Sequence, residues 1–235
     1  MTRHELRDQL QHDHFTDAVS GVLGYAGSHR QLVTRWAIAL AVVLAVAGGI
    51  WWYSVSQRAI REQDLAAALT IWDAPVGPAS PYGKTFLTQD TKQQAALKAF
   101  SDVLAKHSGS REGFIAQYYL GTIKAQKSDT KGAESDLRLV ADSGSEVSPL
   151  AKIALAQLYS GEKKTAEAQG LLRSLVNSPT DLVSKAQAQI LLAQLDQSAN
   201  PKESKAVLQS IDKSDRERPA VTRAADALSG QLAAK

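Results

Sequence analysis

Residues 133–140 read AESDLRLV, and their pattern of small and apolar side chains occurs three more times along the chain. The related stretches are AALKAFSDV at 95–103, AQGLLRSL at 168–175 and SKAVLQSI at 204–211. In each, a small residue is followed by an apolar residue four positions later and another three positions after that, which places all three on one face of a helix. The triplets are Ala96, Phe100 and Val103; Ala133, Leu137 and Val140; Ala168, Leu172 and Leu175; and Ser204, Leu208 and Ile211. Their successive spacings of 37, 35 and 36 residues indicate a repeating unit.

A second apolar helix precedes each of the last three stretches: IAQYYLGTI at 115–123, AKIALAQLY at 151–159 and AQAQILLAQL at 186–195. A period near 34 residues with two helices per unit resembles the tetratricopeptide repeat. The matching residues are Leu120, Gly121 and Ala133; Leu155, Ala156, Tyr159 and Ala168; and Leu191, Leu192, Leu195 and Ser204, where Leu192 replaces a small contact residue. The chain is therefore predicted to be all-α, with an N-terminal single transmembrane helix followed by a tetratricopeptide-type helical-repeat solenoid. A generic helical bundle without superhelical stacking is the alternative.

The starts of two helices are predicted from a polar residue followed by proline. Ser148 and Asn200 each precede a proline, so each is expected to cap a helix with its side chain. Glu203, three residues after Asn200, would complete a capping box. A last helix from Pro219 to about Leu232 is expected to close the array with a polar outer side.

Residues 36–57, WAIALAVVLAVAGGIWWYSVSQ, contain no charge and predict a membrane-spanning helix. Their length corresponds to roughly 33 Å of helix, near the thickness of the hydrocarbon core of a bilayer. Trp36 at one end and Trp51, Trp52 and Tyr53 at the other are typical interfacial anchors. A signal peptide cleaved before Gly48 is the alternative, but 35 residues precede the stretch and apolar residues follow the small ones. A buried core helix is disfavoured because the stretch is apolar all round.

The predicted organisation is a cytosolic tail at 1–35, the transmembrane helix at 36–57 and a helical-repeat domain at 58–235, with a Pro-rich loop near 73–90. Arginines flank the span almost equally on both sides, so the positive-inside rule does not decide its orientation. A short tail before the span and a long domain after it favour a cytoplasmic N-terminus and an exported C-terminal domain. The tail contains a candidate amphipathic helix with Phe15, Val19, Val22 and Leu23 at helical spacing.

Small residues recur every four positions within the span, at Ala37, Ala41, Ala45 and Gly49. On a helix they form a stripe that would allow another transmembrane helix to approach closely. Because the span is rich in alanine, such a stripe also arises by chance.

The composition excludes several kinds of chemistry. The chain has no cysteine, which excludes disulfides, thiol catalysis and Cys-based zinc sites. The net charge of +3 comes from mixed signs without a basic block, so nucleic-acid binding is not expected. His12 and His14 lack a further ligand set and are interpreted as solvated, and His107 as a partner of a helix C-terminus. We therefore predict no enzyme activity, cofactor, metal site or small-molecule substrate.

A solenoid instead offers a surface, and the first helix of each pair would line its concave groove. The repeat pattern assigns to a partner-binding groove the residues Ile115, Tyr118, Thr122, Leu150, Ile153, Gln157, Gln189 and Ala193. None is charged, so the groove lacks the cationic set that would clamp a carboxylate at the end of a chaperone tail. An extended or helical apolar peptide is the expected ligand. Alternatively, the long helix after the span or a second copy of the chain fills the groove.

The order of these parts, together with the tail sequence DAVSGVLGYAGSHRQLV at 17–33, resembles the bacterial ancillary SecYEG translocon subunit family. The resemblance implies a single-pass protein of the cell inner membrane, with a periplasmic domain that associates with the Sec translocon and with periplasmic chaperones or client chains. It brings no catalytic residues. A structural accessory subunit that stabilises another membrane protein complex is the competing hypothesis, and a cleaved, secreted protein of envelope assembly is a third.

Overall fold

The computed structural model describes residues 30–78, 83–197 and 200–233, and every regular element within these ranges is a helix. The predicted all-α class is therefore confirmed. The chain divides into two units at residues 59 and 60. The helices are α1 (Arg30–Asp73), α2 (Gln89–His107), α3 (Arg111–Gln126), α4 (Thr130–Asp142), α5 (Ser148–Gly161), α6 (Thr165–Asn177), α7 (Lys185–Asp196), α8 (Pro201–Gln209), α9 (Lys213–Arg216) and α10 (Pro219–Ala233).

In the first unit, the described part of α1 is an apolar helix whose side chains are exposed. Trp36, Trp51 and Trp52 are each at least 69% exposed, and none of the apolar window is buried within the chain. The helix is long and apolar enough to cross a membrane. Ala41, Ala45 and Gly49 of the small-residue stripe are exposed. The side chains of Ala37 and Tyr53, and the tail at 1–29 with its candidate amphipathic helix and two histidines, lie outside the described residues.

The second unit begins with residues 60–73 of α1, which pack against α2 and α3. Leu65 and Ala68 are buried there with Phe100, because their spacing puts them on one side of the helix. The ring of Phe100 stacks on Tyr119 with centroids 4.7 Å apart, and Trp72 meets Tyr119 edge to face at 5.4 Å. Aromatic contacts of this geometry stabilise a core beyond the area that they bury.

Charged side chains at the other end of this packing also join α1 to its neighbours. Oδ2 of Asp64 lies 2.9 Å from Nε2 of His107 and 3.3 Å from Nζ of Lys106. Nε of Arg61 lies 3.3 Å from Oε2 of Glu112, whose side chain is only 6% exposed. His107 ends α2, as its predicted role at a helix C-terminus requires, but its partner is the carboxylate of Asp64.

The repeated triplets form the core of the second unit. All twelve of their residues are buried, from Ala96 at the start to Ile211 at the end. Ser204 occupies the position that is alanine in the other triplets, and its hydroxyl donates a hydrogen bond to the carbonyl oxygen of Ala193 at 2.7 Å. A polar side chain is therefore accommodated at a buried small-residue position because its donor is satisfied.

The helices from α2 to α8 pack mainly on their neighbours in the chain. In addition, α3 touches α5, and α10 packs on α7, α8 and α9. Packing between successive short helices is expected when each unit buries its apolar face on the next one.

Two predicted helix caps are wrong. Ser148 lies inside α5, whose N-cap is Val147, and its hydroxyl bonds to the carbonyl oxygen of Val140 at 2.7 Å. Asn200 is the N-cap of α8 but makes no capping bond with its side chain, and Glu203 instead accepts a hydrogen bond from Arg173 at 2.6 Å. In both cases a contact with an earlier helix, α4 for Ser148 and α6 for Glu203, takes the place of the local cap.

The loop predicted near 73–90 spans residues 74–88 and contains no helix in its described part. Val76 and Phe86 form an isolated parallel bridge across it, in which the backbone N–H of Gly77 bonds to the carbonyl oxygen of Phe86 at 2.8 Å. The final helix agrees with its prediction, since α10 begins at Pro219 and ends at Ala233.

Tyr159 joins α5 to α4 through two side-chain hydrogen bonds. The hydroxyl of Tyr159 donates to Oε1 of Glu134 at 2.8 Å and accepts a hydrogen bond from Arg138. Burial raises the pKa of Tyr159, so the phenol remains a neutral donor. Gln157, two residues earlier and roughly 200° around the helix, therefore lies on a different face of α5 from Tyr159.

Candidate functional site: two clefts between alternate helices

A cleft of about 540 Å³ opens between α3 and α5, with Leu137 of α4 among its lining residues. We call it the α3/α5 cleft. Thr122 of α3 and Gln157 of α5 are both among its lining residues. Its described lining consists of Thr122, Ala125, Gln126, Thr130, Leu137, Ala154, Gln157, Leu158, Gly161 and Glu162.

A second cleft, of about 240 Å³, opens between α5 and α7, and Leu172 of α6 contributes to it. We call it the α5/α7 cleft. Its volume is below the roughly 300–1,000 Å³ that is usual for sites binding small molecules. Its described lining consists of Ile153, Ala156, Gln157, Ser160, Leu172, Leu191, Gln194 and Leu195.

The two clefts are equivalent by repeat position and together form what we call the groove. Leu137 and Leu172 hold the same place in successive triplets, and each lies at the bottom of one cleft. Gln157 lines both clefts. It is therefore the side chain that connects them.

A third cleft, at the equivalent place beside α7, is absent among the described residues because other helices fill it. Ala193 corresponds to Gln157 and Leu208 corresponds to Leu172, but both are buried, in a cluster that includes Leu228 and Leu232 of α10. A side chain as small as alanine at position 193 lets α10 approach α7 closely. The groove therefore ends where α10 packs on α7.

The assignment of Gln189 and Ala193 to the groove is wrong because α8 and α10 cover this face of α7. Gln189 is 4% exposed and its Nε2 donates to Oγ of Ser210 at 2.9 Å, while Ala193 is fully buried. The part of α7 that lines the groove is an adjacent face, with Leu191, Gln194 and Leu195.

The other predicted groove residues divide between the clefts and the packing around them. Ile153 lines the α5/α7 cleft, Gln157 lines both clefts, and Thr122 lines the α3/α5 cleft. Ile115 and Tyr118 are half-buried against a core cluster that contains Val140, and Leu150 packs on the neighbouring cluster. These last three lie outside the described lining of both clefts.

The groove is uncharged apart from one carboxylate at its rim. Among the described lining residues only Glu162 is charged, and Nζ of Lys164 lies 2.8 Å from its Oε2. That contact lowers the pKa of Glu162, chiefly through a hydrogen bond, so this carboxylate remains ionised and paired. None of the described residues fills either cleft, since residues 60–73 of α1 pack on α2 and α3.

A buried carboxylate lies beside the closed end of the groove. Asp196, the last residue of α7, is fully buried, and Gln169 donates a hydrogen bond to its Oδ1. Its Oδ2 has no hydrogen-bond partner among the described residues. Burial raises the pKa of Asp196, although the bond from Gln169 opposes this effect.

Among the described residues, no group of three or more His, Asp or Glu side chains could hold a metal ion. The apolar clefts and the neutral amides around them are suited to holding part of a polypeptide. Comparisons with protein-family models, with curated proteins and with solved structures find no match to this chain.

Proposed function

We propose that the second unit is a tetratricopeptide-type solenoid. Three features support this fold: the period of 35 to 37 residues, the burial of every triplet residue, and packing that runs mainly from each helix to the next. In such an array the alternate helices α3, α5 and α7 form one concave face. The two clefts lie on this face.

We further propose that the chain is a membrane-anchored adaptor that binds proteins through this groove. The observation that carries the proposal is the pair of equivalent apolar clefts, which the described residues leave open and which share Gln157. Exposed apolar clefts of this kind on a folded domain mark a site of protein contact.

The helix at 36–57 would hold the adaptor in the membrane, because no described part of the chain covers its apolar surface. With the N-terminus in the cytoplasm, the groove would face the periplasm of a bacterial cell. The resemblance of the architecture to the ancillary SecYEG translocon subunits then suggests the translocon, periplasmic chaperones and emerging client chains as partners.

Photo-crosslinking in native membranes tests this proposal. A photoreactive amino acid at Ile153 would lie in the α5/α7 cleft, and one at Leu139, 58% exposed on α4 and outside both clefts, is the matched control. We expect position 153 to capture translocon components and client chains that position 139 does not. Equal capture from both positions would contradict a role for the groove.

The alternative is a structural subunit that stabilises another membrane complex. The exposed small residues Ala41, Ala45 and Gly49 favour it, because they would allow close packing of a second transmembrane helix. Under this alternative, purification in a mild detergent would recover one partner in fixed stoichiometry, and crosslinks from position 153 would reach that partner alone.

A further inference from the structure

Two side-chain amides stand on either side of the α5/α7 cleft. Gln157 on α5 and Gln194 on α7 are both exposed, and neither side chain makes a hydrogen bond to a described residue. Each amide offers a carbonyl acceptor and an NH₂ donor. By contrast, Gln189 and Gln126 each donate to or accept from a neighbouring side chain, so their amides are already engaged.

The floor between these two amides is apolar. One side is lined by Ile153 and Ala156 of α5, and the other by Leu191 and Leu195 of α7. Leu172 of α6 lies between the two sides. No charged side chain is among the described lining residues of this cleft. A carboxylate or an ammonium group of a ligand would therefore be desolvated here without an opposite charge, which is unfavourable.

Paired donors and acceptors beside an apolar floor match the chemistry of an extended polypeptide. An extended segment has free backbone N–H and C=O groups on its two edges, and its side chains alternate between two faces. A helical segment satisfies its backbone groups internally and has none to share with a glutamine. At about 240 Å³, the α5/α7 cleft is suited to a side chain of a longer chain.

We propose that the α5/α7 cleft binds an extended, uncharged stretch of an unfolded polypeptide. One apolar side chain enters the cleft above Leu172, and the backbone on either side of it exchanges hydrogen bonds with Gln157 and Gln194. The segment continues over Gln157 to the α3/α5 cleft, where a second apolar side chain lies above Leu137. This inference rests on the proposed function and specifies the ligand of the same groove.

The test uses the full chain in lipid nanodiscs, with empty nanodiscs as the blank. The probe is a fluorescent, acetylated and amidated octapeptide of alternating leucine and serine, and the readout is its fluorescence anisotropy. A second peptide has the same side chains with N-methyl groups on alternate backbone amides, which removes donors without changing the side chains. A third carries the same residues in a hydrocarbon-stapled helix.

We expect the parent peptide to bind and the N-methylated peptide to bind at least about fivefold more weakly, since each neutral hydrogen bond contributes a factor of about 2 to 10. Gln157→Leu and Gln194→Leu keep a similar volume, remove the amide and make the cleft more apolar. Each is expected to weaken binding by a similar factor. Gln187→Leu, at an exposed glutamine of α7 outside both clefts, is the matched control and should leave binding unchanged.

Three results would overturn the inference: equal binding of the N-methylated peptide, unchanged or tighter binding by the leucine variants, or tighter binding of the stapled helix. Each of these is compatible with protein capture from position 153, so the proposed function would survive them. Loss of that capture, with the peptide still bound, would instead contradict the proposed function. All three substitutions lie at exposed positions, and circular dichroism of each variant verifies that its helices are retained.

Discussion

Nε2 of His107 lies 2.9 Å from Oδ2 of Asp64, and Nζ of Lys106 approaches the same oxygen to 3.3 Å. These contacts join the end of α2 to α1 between residues 43 positions apart in the sequence. The hydrogen bond with His107 is the largest effect on the pKa of Asp64; together with the hydrogen bond and charge of Lys106 it outweighs burial and holds this pKa below its ordinary value of 3.8.

We predict that Asp64→Asn lowers the free energy of unfolding at neutral pH by about 1 kcal/mol, the scale of one ordinary intramolecular hydrogen bond. A lowered pKa means that the carboxylate stabilises the fold fully above its unfolded pKa and loses this effect as the pH falls through the folded one. The difference between variant and parent should therefore shrink below about pH 4. Urea unfolding in detergent, followed by circular dichroism, measures it.

Asp102→Asn is the matched control, because Asp102 is exposed and its one ion pair among the described residues is with Lys98, one helical turn away. Its effect should stay below about 0.5 kcal/mol. Equal losses in the two variants would show that the contact between Asp64 and His107 adds no stability.

Asp196→Asn should have the opposite effect at neutral pH. Burial raises the pKa of Asp196 in the folded protein. The contribution of its protonated form to the free energy of unfolding is therefore fully present below the ordinary pKa of 3.8 and is lost as the pH rises through the raised pKa. We expect the substitution to increase the free energy of unfolding by about 1 kcal/mol at neutral pH and to have no effect in acid. Asp181→Asn, in an exposed loop, is the control and should change little at either pH. A destabilised Asp196→Asn at neutral pH would refute the prediction.

Gly121→Ala is predicted to destabilise the second unit. A Cβ atom at this position would lie 2.7 Å from Cγ of Leu137, so either the two helices or that side chain must move. The expected cost is about 1–3 kcal/mol, as for other overpacked cores. Gly170→Ala is a matched helical glycine with nothing within 4 Å of the added atom, and it should stabilise by about 0.5–1 kcal/mol. If the urea midpoints of both variants shifted in the same direction, the close contact of Gly121 with Leu137 would not explain the effect.

Ala193→Gln places in α7 the residue that α5 carries at the equivalent position. Because Ala193 is fully buried next to α10, the longer side chain should displace that helix. Hydrogen exchange followed by mass spectrometry should show faster exchange in α10 and unchanged exchange in α2 and α3. Ala206→Gln, at an exposed position of α8, should leave α10 protected. Protection of α10 in the Ala193 variant as well would show that the closed cleft has room for a glutamine.

The absence of cysteine allows a direct measurement of topology. We predict that a single cysteine introduced as Ser101→Cys, exposed on α2, reacts with a membrane-impermeant maleimide in spheroplasts. A single cysteine introduced as Ser28→Cys, before the span, should react only after lysis. The reverse pattern would place the groove in the cytoplasm.

The helical repeats could be predicted from the sequence because burial imposes a period on it. The positions of Ala133, Leu137 and Val140 recur with the chemistry that a buried helix face needs, so the core followed from the pattern. The helix caps at Ser148 and Asn200 were mistaken because Ser148 and Glu203 bond to residues of earlier helices, α4 and α6, and such contacts compete with local capping. The spacing of residues in the sequence cannot predict which of these two contacts forms.

The groove was predicted only in part for a similar reason. The repeat alignment equates Ala193 with Gln157, but the exposure of each depends on which helix packs next to it. The small size of Ala193 was the signal of close helix contact at that point. The pairing of Asp64 with His107 joins segments with no repeat relation, so periodicity could not indicate it.

The position of α10 has a consequence for how such a chain can be lengthened. The helix that closes the groove lies outside the repeated units, at Pro219–Ala233, whereas each of the two clefts lies between helices of successive units. Duplication of one unit of about 36 residues ahead of α7 would thus add a cleft while α10 still packs on α7 and α8. Each repeated unit added in this way would let the groove accommodate one more apolar side chain of a bound polypeptide.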